Sequence, residues 1–229
     1  MRKILISIRP EWVKKILNGE KTAEVRLSVP KCNLPCEVYI YCTKGGEELL
    51  VPFETKEERY NSQEEAEGTL IPLNGKVVAK FTMYDHGLIH MDTGYCESNI
   101  KPYCRKITER LTGGLSFEQV NNYSKGKPVY LWQIENLKIF VKPKELSDFY
   151  REGTMNQEDY LNSIDYDDQY PSYPDGADMF QVDEEIAEYD STGWDIYKDY
   201  LNKQEIKYAP QSWRYIKVIK SWCYTEEFK

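Results

Sequence analysis

Short alternating stretches, not long apolar runs, carry the hydrophobic residues of this 229-residue sequence. That pattern confines the chain to strands with one buried face and one polar face. Ala23, Val25 and Leu27 alternate with Thr22, Glu24 and Arg26 until Pro30 ends the stretch. Val77, Ala79, Phe81 and Met83 alternate in the same way with Lys80, Thr82 and Tyr84. Two brief apolar runs, Ile4-Leu5-Ile6 and Val38-Tyr39-Ile40-Tyr41-Cys42, read as more deeply buried strands, the second closed by the turn-like Lys44-Gly45-Gly46. Tyr130, Trp132 and Ile134 share one parity, whereas Leu137, Ile139 and Val141 fall on the other. A slip at Glu135-Asn136 therefore predicts a bulge, a device that bends a sheet towards barrel closure.

Helical periodicity is confined to short segments. Pro10 suits a first helical position, Trp12, Val13, Ile16 and Leu17 repeat on one face, and Gly19 fits the stop. Ser116-Phe117-Glu118-Gln119 has the form of a capping box, with Phe117, Val120 and Tyr123 as the apolar stripe of a second helix. Residues 47–74 are charged and read as a long loop with at most one short helix, and Asp85-His86-Gly87 reads as a turn. Strands separated by occasional helices, without regular strand–helix–strand alternation or an internal repeat, predict an α+β fold: a mostly antiparallel β-barrel flanked by short helices.

Charge divides the chain. Residues 151–200 hold fifteen acidic side chains against Arg151 and Lys198, leaving twenty-eight basic and twenty-three acidic residues elsewhere. The formal charge of −8 thus combines a body at +5 with a segment at −13. Charges more than a Debye length apart, about 8 Å in physiological salt, act nearly independently, so the mildly basic body keeps its own field. The domain organisation expected is one domain formed by residues 1–149 and 206–229, with residues 150–205 as an acidic, Tyr-rich insertion. That insertion offers a surface for a basic protein partner, or an internal mimic of nucleic acid.

Several classes are excluded or unsupported. A mean hydropathy of −0.67 and the lack of any apolar run near the roughly 18 residues needed to cross a bilayer leave no membrane-spanning segment. Ile4-Leu5-Ile6 is too short for the apolar part of a signal peptide, and six cysteines without one fit reduced thiols, so a cytoplasmic location is expected. Among the histidines and nearby cysteines only His86 and His90 approach zinc-ligand spacing, and no metal site is expected. No phosphate-cradling glycine loop, dinucleotide fingerprint or nucleophile elbow occurs, and no cofactor is expected.

The segment Gly19-Glu20-Lys21-Thr22-Ala23-Glu24-Val25-Arg26 concentrates the chemistry. A glycine turns the backbone, Lys21 projects from the turn, and alternation puts Thr22, Glu24 and Arg26 on one face, expected to lie opposite the core. Two cations, a carboxylate and a hydroxyl would hold a phosphate through Lys21 and Arg26, while Glu24 accepts hydrogen bonds from a base or amide. Spacing alone equally allows an ordinary ion pair on a strand.

The segment fits the pattern G-x-K-x-x-E-x-R and resembles the ASCH family of the PUA-like superfamily, in its bacterial and phage form. Ser7-Ile8-Arg9-Pro10-Glu11-Trp12 through Ile16 resembles the strand and helix that precede the motif there. The resemblance covers residues 4–44, extends over 75–141, and touches Ala209-Pro210-Gln211-Ser212-Trp213, which is similar to a closing strand region. The acidic segment has no counterpart. The resemblance implies a PUA-like barrel whose cleft binds RNA or a modified nucleotide. Gly19, Lys21, Thr22, Glu24 and Arg26 would line that cleft, with Arg9, Tyr41, Thr43, Lys44, Trp132 and Trp213 as neighbours. Aromatic planes would stack a base and cations would meet phosphate. The resemblance also implies an alternative activity, since some small members are similar to amidohydrolases that deacylate 4-acetylcytidine. Lys21 would then be catalytic with Glu24, although those enzymes carry threonine where this chain has Glu24.

Overall fold

Pro10 opens the first helix and Gly19 turns the chain out of it, so the motif begins where the sequence places it. The computed structural model describes residues 1–53, 69–93, 95–97, 115–163 and 197–218. Strand β1 (Lys3–Ile8) leads into α1 (Pro10–Leu17), which buries Val13 and Ile16, each worth about 1.5–3 kcal/mol relative to exposure. Gly19 has φ +74°, a left-handed conformation that side chains other than glycine's rarely adopt. Strands β2 (Ala23–Arg26) and β3 (Cys36–Cys42) follow. Next come β4 (Leu50–Phe53), β5 (Thr69–Pro72), β6 (Val77–Met83), β7 (His86–His90) and β8 (Tyr95–Glu97). Helix α2 (Phe117–Ser124), β9 (Val129–Gln133), β10 (Glu135–Lys144), β11 (Tyr150–Arg151), α3 (Gln157–Ser163) and β12 (Trp213–Lys217) complete the order.

Among the described residues the strands form an α+β arrangement of three sheets, not one closed barrel. The six-stranded sheet has the order β10-β6-β3-β1-β12-β11, the four-stranded sheet β2-β9-β7-β8, and β4-β5 form a ribbon. Strands β1 and β3 run parallel; the other pairings are antiparallel. Besides the excursion from β1 through α1 to β2 and back to β3, the chain passes between the two larger sheets at two neighbouring corners, β6 to β7 and β9 to β10. The expected slip at Glu135-Asn136 is the second corner: the register shifts between Glu135 and Lys138, and Asn136 adopts φ +49°. Asn136 Nδ2 donates to the Tyr84 hydroxyl at 3.1 Å, tying the corners together. A bulge here moves a strand from one sheet to the next, as in sheets packed at steep angles.

Three apolar clusters follow from strand parity. Ile4, Ile6, Ile8, Val38, Ile40 and Cys42 face α1 and share a cluster with Trp132 of the second sheet. Leu5, Tyr39 and Tyr41 point to the other side, against Phe140, Phe149, Ile206 and Ile216. Val25, Val129 and Leu131 face outward from the second sheet onto Val120 of α2. The capping box of α2 is complete, with Ser116 Oγ accepting from Gln119 N–H at 3.2 Å and Gln119 Oε1 from Ser116 N–H at 2.8 Å. Of the expected stripe only Val120 is buried; Phe117 and Tyr123 are exposed.

Two strand expectations need correction. Residues 50–53 and 69–72 form a ribbon where a loop was expected, because each run is only four residues long and carries a proline, which weakens its strand signal. His86-Gly87 opens strand β7 and is not a turn: its partner β9 supplies the pairing that glycine's intrinsic preference opposes. His86 and His90, four residues apart on an extended strand, are about 13 Å apart along it and do not converge on one ion. The ends of the 150–205 segment are built into the body. β11 pairs with β12, Tyr197 is buried, and Tyr160 stacks on Tyr200 with ring centroids 4.1 Å apart. The most acidic stretch, residues 164–196, on which the mimic and protein-partner expectations fall, lies outside the described residues. No helix among the described residues is long and apolar enough to cross a membrane.

Candidate functional site

The turn after α1 is fixed before any side chain is considered. Gly19 N–H donates to the Ile16 carbonyl and Lys21 N–H to the Lys15 carbonyl, both at 3.0 Å, satisfying acceptors that a helix end leaves open. From there β2 runs antiparallel to β9, with Glu24 opposite Trp132 and Arg26 opposite Tyr130. Trp132 belongs to the cluster between the sheets, so Glu24 and Arg26 point inward with it. This reverses the expectation that the charged face of β2 lies away from the core. Thr22 is exposed and lies apart from the two buried residues of its parity.

The inward groups form a buried triad. Lys21 is 2% exposed, Glu24 6% and Arg26 9%. Glu24 Oε1 lies 3.1 Å from Arg26 Nη2, and Glu24 Oε2 lies 3.4 Å from Lys21 Nζ. Arg26 Nη2 also donates to the Ser7 carbonyl at 2.6 Å, so the guanidinium bridges β2 to β1, to which β2 is not paired. Ser7 Oγ donates in turn to the Pro210 carbonyl at 2.6 Å, extending this line of contacts to the segment before β12. The valences are incompletely filled: Arg26 Nε has no hydrogen-bond partner among the described residues, and the contact of Lys21 Nζ to Glu24 Oε2 is long, at 3.4 Å. Burial pushes the pKa of Lys21 below its ordinary value; Glu24 opposes the shift, while Arg26 and Lys15 reinforce it.

Aromatic residues surround the triad unevenly. Lys21 Nζ lies 5.7 Å from the centre of the half-buried Trp12 ring, and Lys15 Nζ lies 5.1 Å from it. Trp132 is fully buried, so its role is to fill the core; it has no free face for stacking. Its Nε1 donates to the Ser28 carbonyl at 3.2 Å, and Trp213 Nε1 donates to Ser28 Oγ at 3.1 Å. Ser28 thus holds both indoles, whose rings are 6.1 Å apart. Trp213 is only half-buried.

Four other expected neighbours lie elsewhere. Arg9 is exposed at the start of α1 and 4.0 Å from Glu11. Gly19 is exposed and sets the turn. Tyr41 has the opposite parity from Ile40 and Cys42, so it belongs to the cluster on the far side of the sheet from α1. Lys44 lies beside it, around a second hollow. Sequence reasoning missed Trp12 as a neighbour of Lys21, and missed Ser7 and Ser28. The Trp12 signal was available in the stripe that leads to Lys21; the serines use both carbonyl and hydroxyl to join segments remote in sequence, which no spacing reveals. Cys36 and Cys42 are buried thiols whose pKa values burial raises to about 12. Among the described residues no group of three or more His, Cys, Asp or Glu side chains is placed to hold a metal ion.

No protein-family model matches the chain, and no curated protein does. Among solved structures, the chain is similar to the crystal structure of ASCH from Zymomonas mobilis at 16% identity, covering 81% of this chain and 94% of that one, with a TM-score of 0.39. It is similar as well to a tyrosine-to-phenylalanine variant of the same protein, at 16% identity over 82% of this chain and 98% of that one, with a TM-score of 0.38.

Proposed function

We propose that this chain is an RNA- or nucleotide-binding module of the ASCH, PUA-like type, with Lys21, Glu24 and Arg26 as the floor of its ligand site. One observation carries the reading: a guanidinium, an ammonium and a carboxylate are buried together, Glu24 standing 3.1 Å from Arg26 and 3.4 Å from Lys21, while the Nε of Arg26 has no hydrogen-bond partner among the described residues. Buried polar groups normally find partners, so an unfilled guanidinium donor beside a second cation suits an arriving anionic, hydrogen-bonding ligand. The half-buried Trp12 and Trp213 supply ring faces for a base. Lys21→Met and Arg26→Lys should each weaken binding of short single-stranded RNA by about tenfold or more, as loss of a charge-assisted or forked contact does. Unchanged affinity in both variants, with native circular dichroism, removes the triad from the site.

A second reading is amidohydrolysis of an acylated cytidine, with Lys21 as the reactive group. The lowered pKa of Lys21 favours it, since an amine acts as nucleophile or base only when deprotonated. Glu24 at 3.4 Å opposes it by holding the ammonium form. Acetate release from acetylated cytidine that disappears in Lys21→Met would support this reading; no release at high protein concentration would end it.

A further inference from the structure

On the face of the six-stranded sheet away from α1 lies a hollow of about 520 Å³, within the range of small-molecule sites. It sits beyond the C-terminal ends of the parallel strands β1 and β3 and is separate from the Lys21–Glu24–Arg26 triad. Tyr41 lines it from beneath. That residue is 4% exposed, and its hydroxyl has no hydrogen-bond partner among the described residues. Lys44 and Lys207 line it as well, both exposed and neither in an ion pair among the described residues. Of its two carboxylates, Glu145 is neutralised by Lys76, while Glu205 is in no ion pair among the described residues. Tyr208 offers its ring at the rim, 82% exposed. Gly75 keeps the hollow open at one wall: its φ is +83°, and a Cβ there would come within 3.2 Å of the Lys44 side chain.

We infer that this hollow binds a nucleoside monophosphate whose base carries an exocyclic amine, either as a free nucleotide or as the phosphorylated end of an RNA strand. Each feature has a matching part. A phosphate meets Lys44 and Lys207, which lack anionic partners among the described residues. The base stacks on Tyr208, whose exposure is otherwise unfavourable for so large a ring. Its amine donates to Glu205, and a ring nitrogen or carbonyl accepts from the Tyr41 hydroxyl, which lines the hollow without a protein partner among the described residues. The inference goes beyond the triad reading and does not depend on it, because every group named lies outside the motif.

The test is calorimetric titration of the full chain with adenosine, cytidine and uridine monophosphates, the corresponding nucleosides, and a short single-stranded RNA with and without a 5′ phosphate. Saturable binding is expected for the adenosine and cytidine monophosphates, weaker binding for the uridine monophosphate, and little for nucleosides. Lys44→Ala, Lys207→Ala and Tyr208→Ala should each weaken it by about tenfold, the order expected for one phosphate contact or one stacking face. All three side chains are exposed, so their truncation leaves the core packing intact. Tighter binding of the free nucleotide assigns a metabolite, and tighter binding of the phosphorylated RNA end assigns a strand terminus; either supports the site. Absence of saturable binding, or binding indifferent to all three substitutions, overturns it. Failure of Lys21→Met to affect RNA binding would dismiss the triad reading alone.

Discussion

Replacing Glu24 by Gln tests whether one carboxylate holds two buried cations together. At separations of 3.1 Å and 3.4 Å, each pair is worth about 5 kcal/mol at an effective dielectric constant of about 20, before desolvation is subtracted. Glutamine keeps the size of the side chain and a carbonyl dipole but removes the anion that Lys21 and Arg26 both contact. Breaking a buried pair in this way costs about 3–5 kcal/mol, a large share of the total stability of about 5–15 kcal/mol of an ordinary domain. Lys21→Met should behave differently. It removes the most desolvated ammonium, retains the aliphatic stem, and leaves Glu24 paired with Arg26, so the change should stay within about 1 kcal/mol. Urea denaturation at neutral pH reads both, the Glu24→Gln midpoint falling by about 1 M or more with little change in slope. Combining the two substitutions removes one of the two cations that lost the carboxylate, so the double variant should recover part of the loss. A Glu24→Gln variant within about 1 kcal/mol of the parent, or a double variant no better than the single one, would refute the account of the triad.

Ser28→Ala should cost about 0.5–1.5 kcal/mol by freeing the Trp213 indole N–H, and should shift tryptophan emission to the red, while the Trp132 bond to the Ser28 carbonyl persists. Gly19→Ala forces a Cβ into a left-handed backbone and should cost about 1–2 kcal/mol in thermal or urea unfolding, although no neighbouring atom obstructs it. Cys36 and Cys42 hold their protons in the folded state from the ordinary value of 9.0 up to about 12, whereas the unfolded chain loses them above 9.0. Their contribution to stability is therefore complete below pH 9.0 and lost as the pH rises towards 12, and replacing both by Ala should make the alkaline fall in unfolding midpoint shallower. Lys21 acts in the opposite sense, because its lowered pKa means that the folded state gives up a proton first; its penalty lifts as the pH climbs towards 10.5, a rise that Lys21→Met should abolish.

Much of the fold was legible because its signals are local. The capping box at Ser116–Gln119, the proline and glycine that bracket α1, and the parity slip before Leu137 each correspond to a backbone event at the named residues. The ribbon β4-β5 and strand β7 were not legible, since four-residue runs interrupted by proline or glycine depend on a pairing partner remote in sequence. The neighbours of Arg26 were hidden for a related reason. Its contact is the Ser7 backbone carbonyl, which any residue at that position would offer, so nothing in the residue types marks it.

The orientation of β2 shows where periodicity stops short. Alternation divides Ala23 and Val25 from Glu24 and Arg26, and hydrophobicity alone would turn the first pair inward. Both faces of this strand are covered: Val25 packs on α2 through the outer cluster, while Glu24 and Arg26 enter the space beside Trp132. Polar groups occupy that space at tolerable cost because Lys21 arrives from the helix turn and the Ser7 carbonyl from β1, giving the carboxylate two cations and the guanidinium a second acceptor. A one-residue change of register would exchange the two faces, setting Val25 beside Trp132 and driving Glu24 and Arg26 into the apolar cluster under α2, without this compensation. The triad is thus a consequence of pairing β2 with β9 in the one register that puts Glu24 opposite Trp132, and its chemistry depends on that pairing as much as on the three residues themselves.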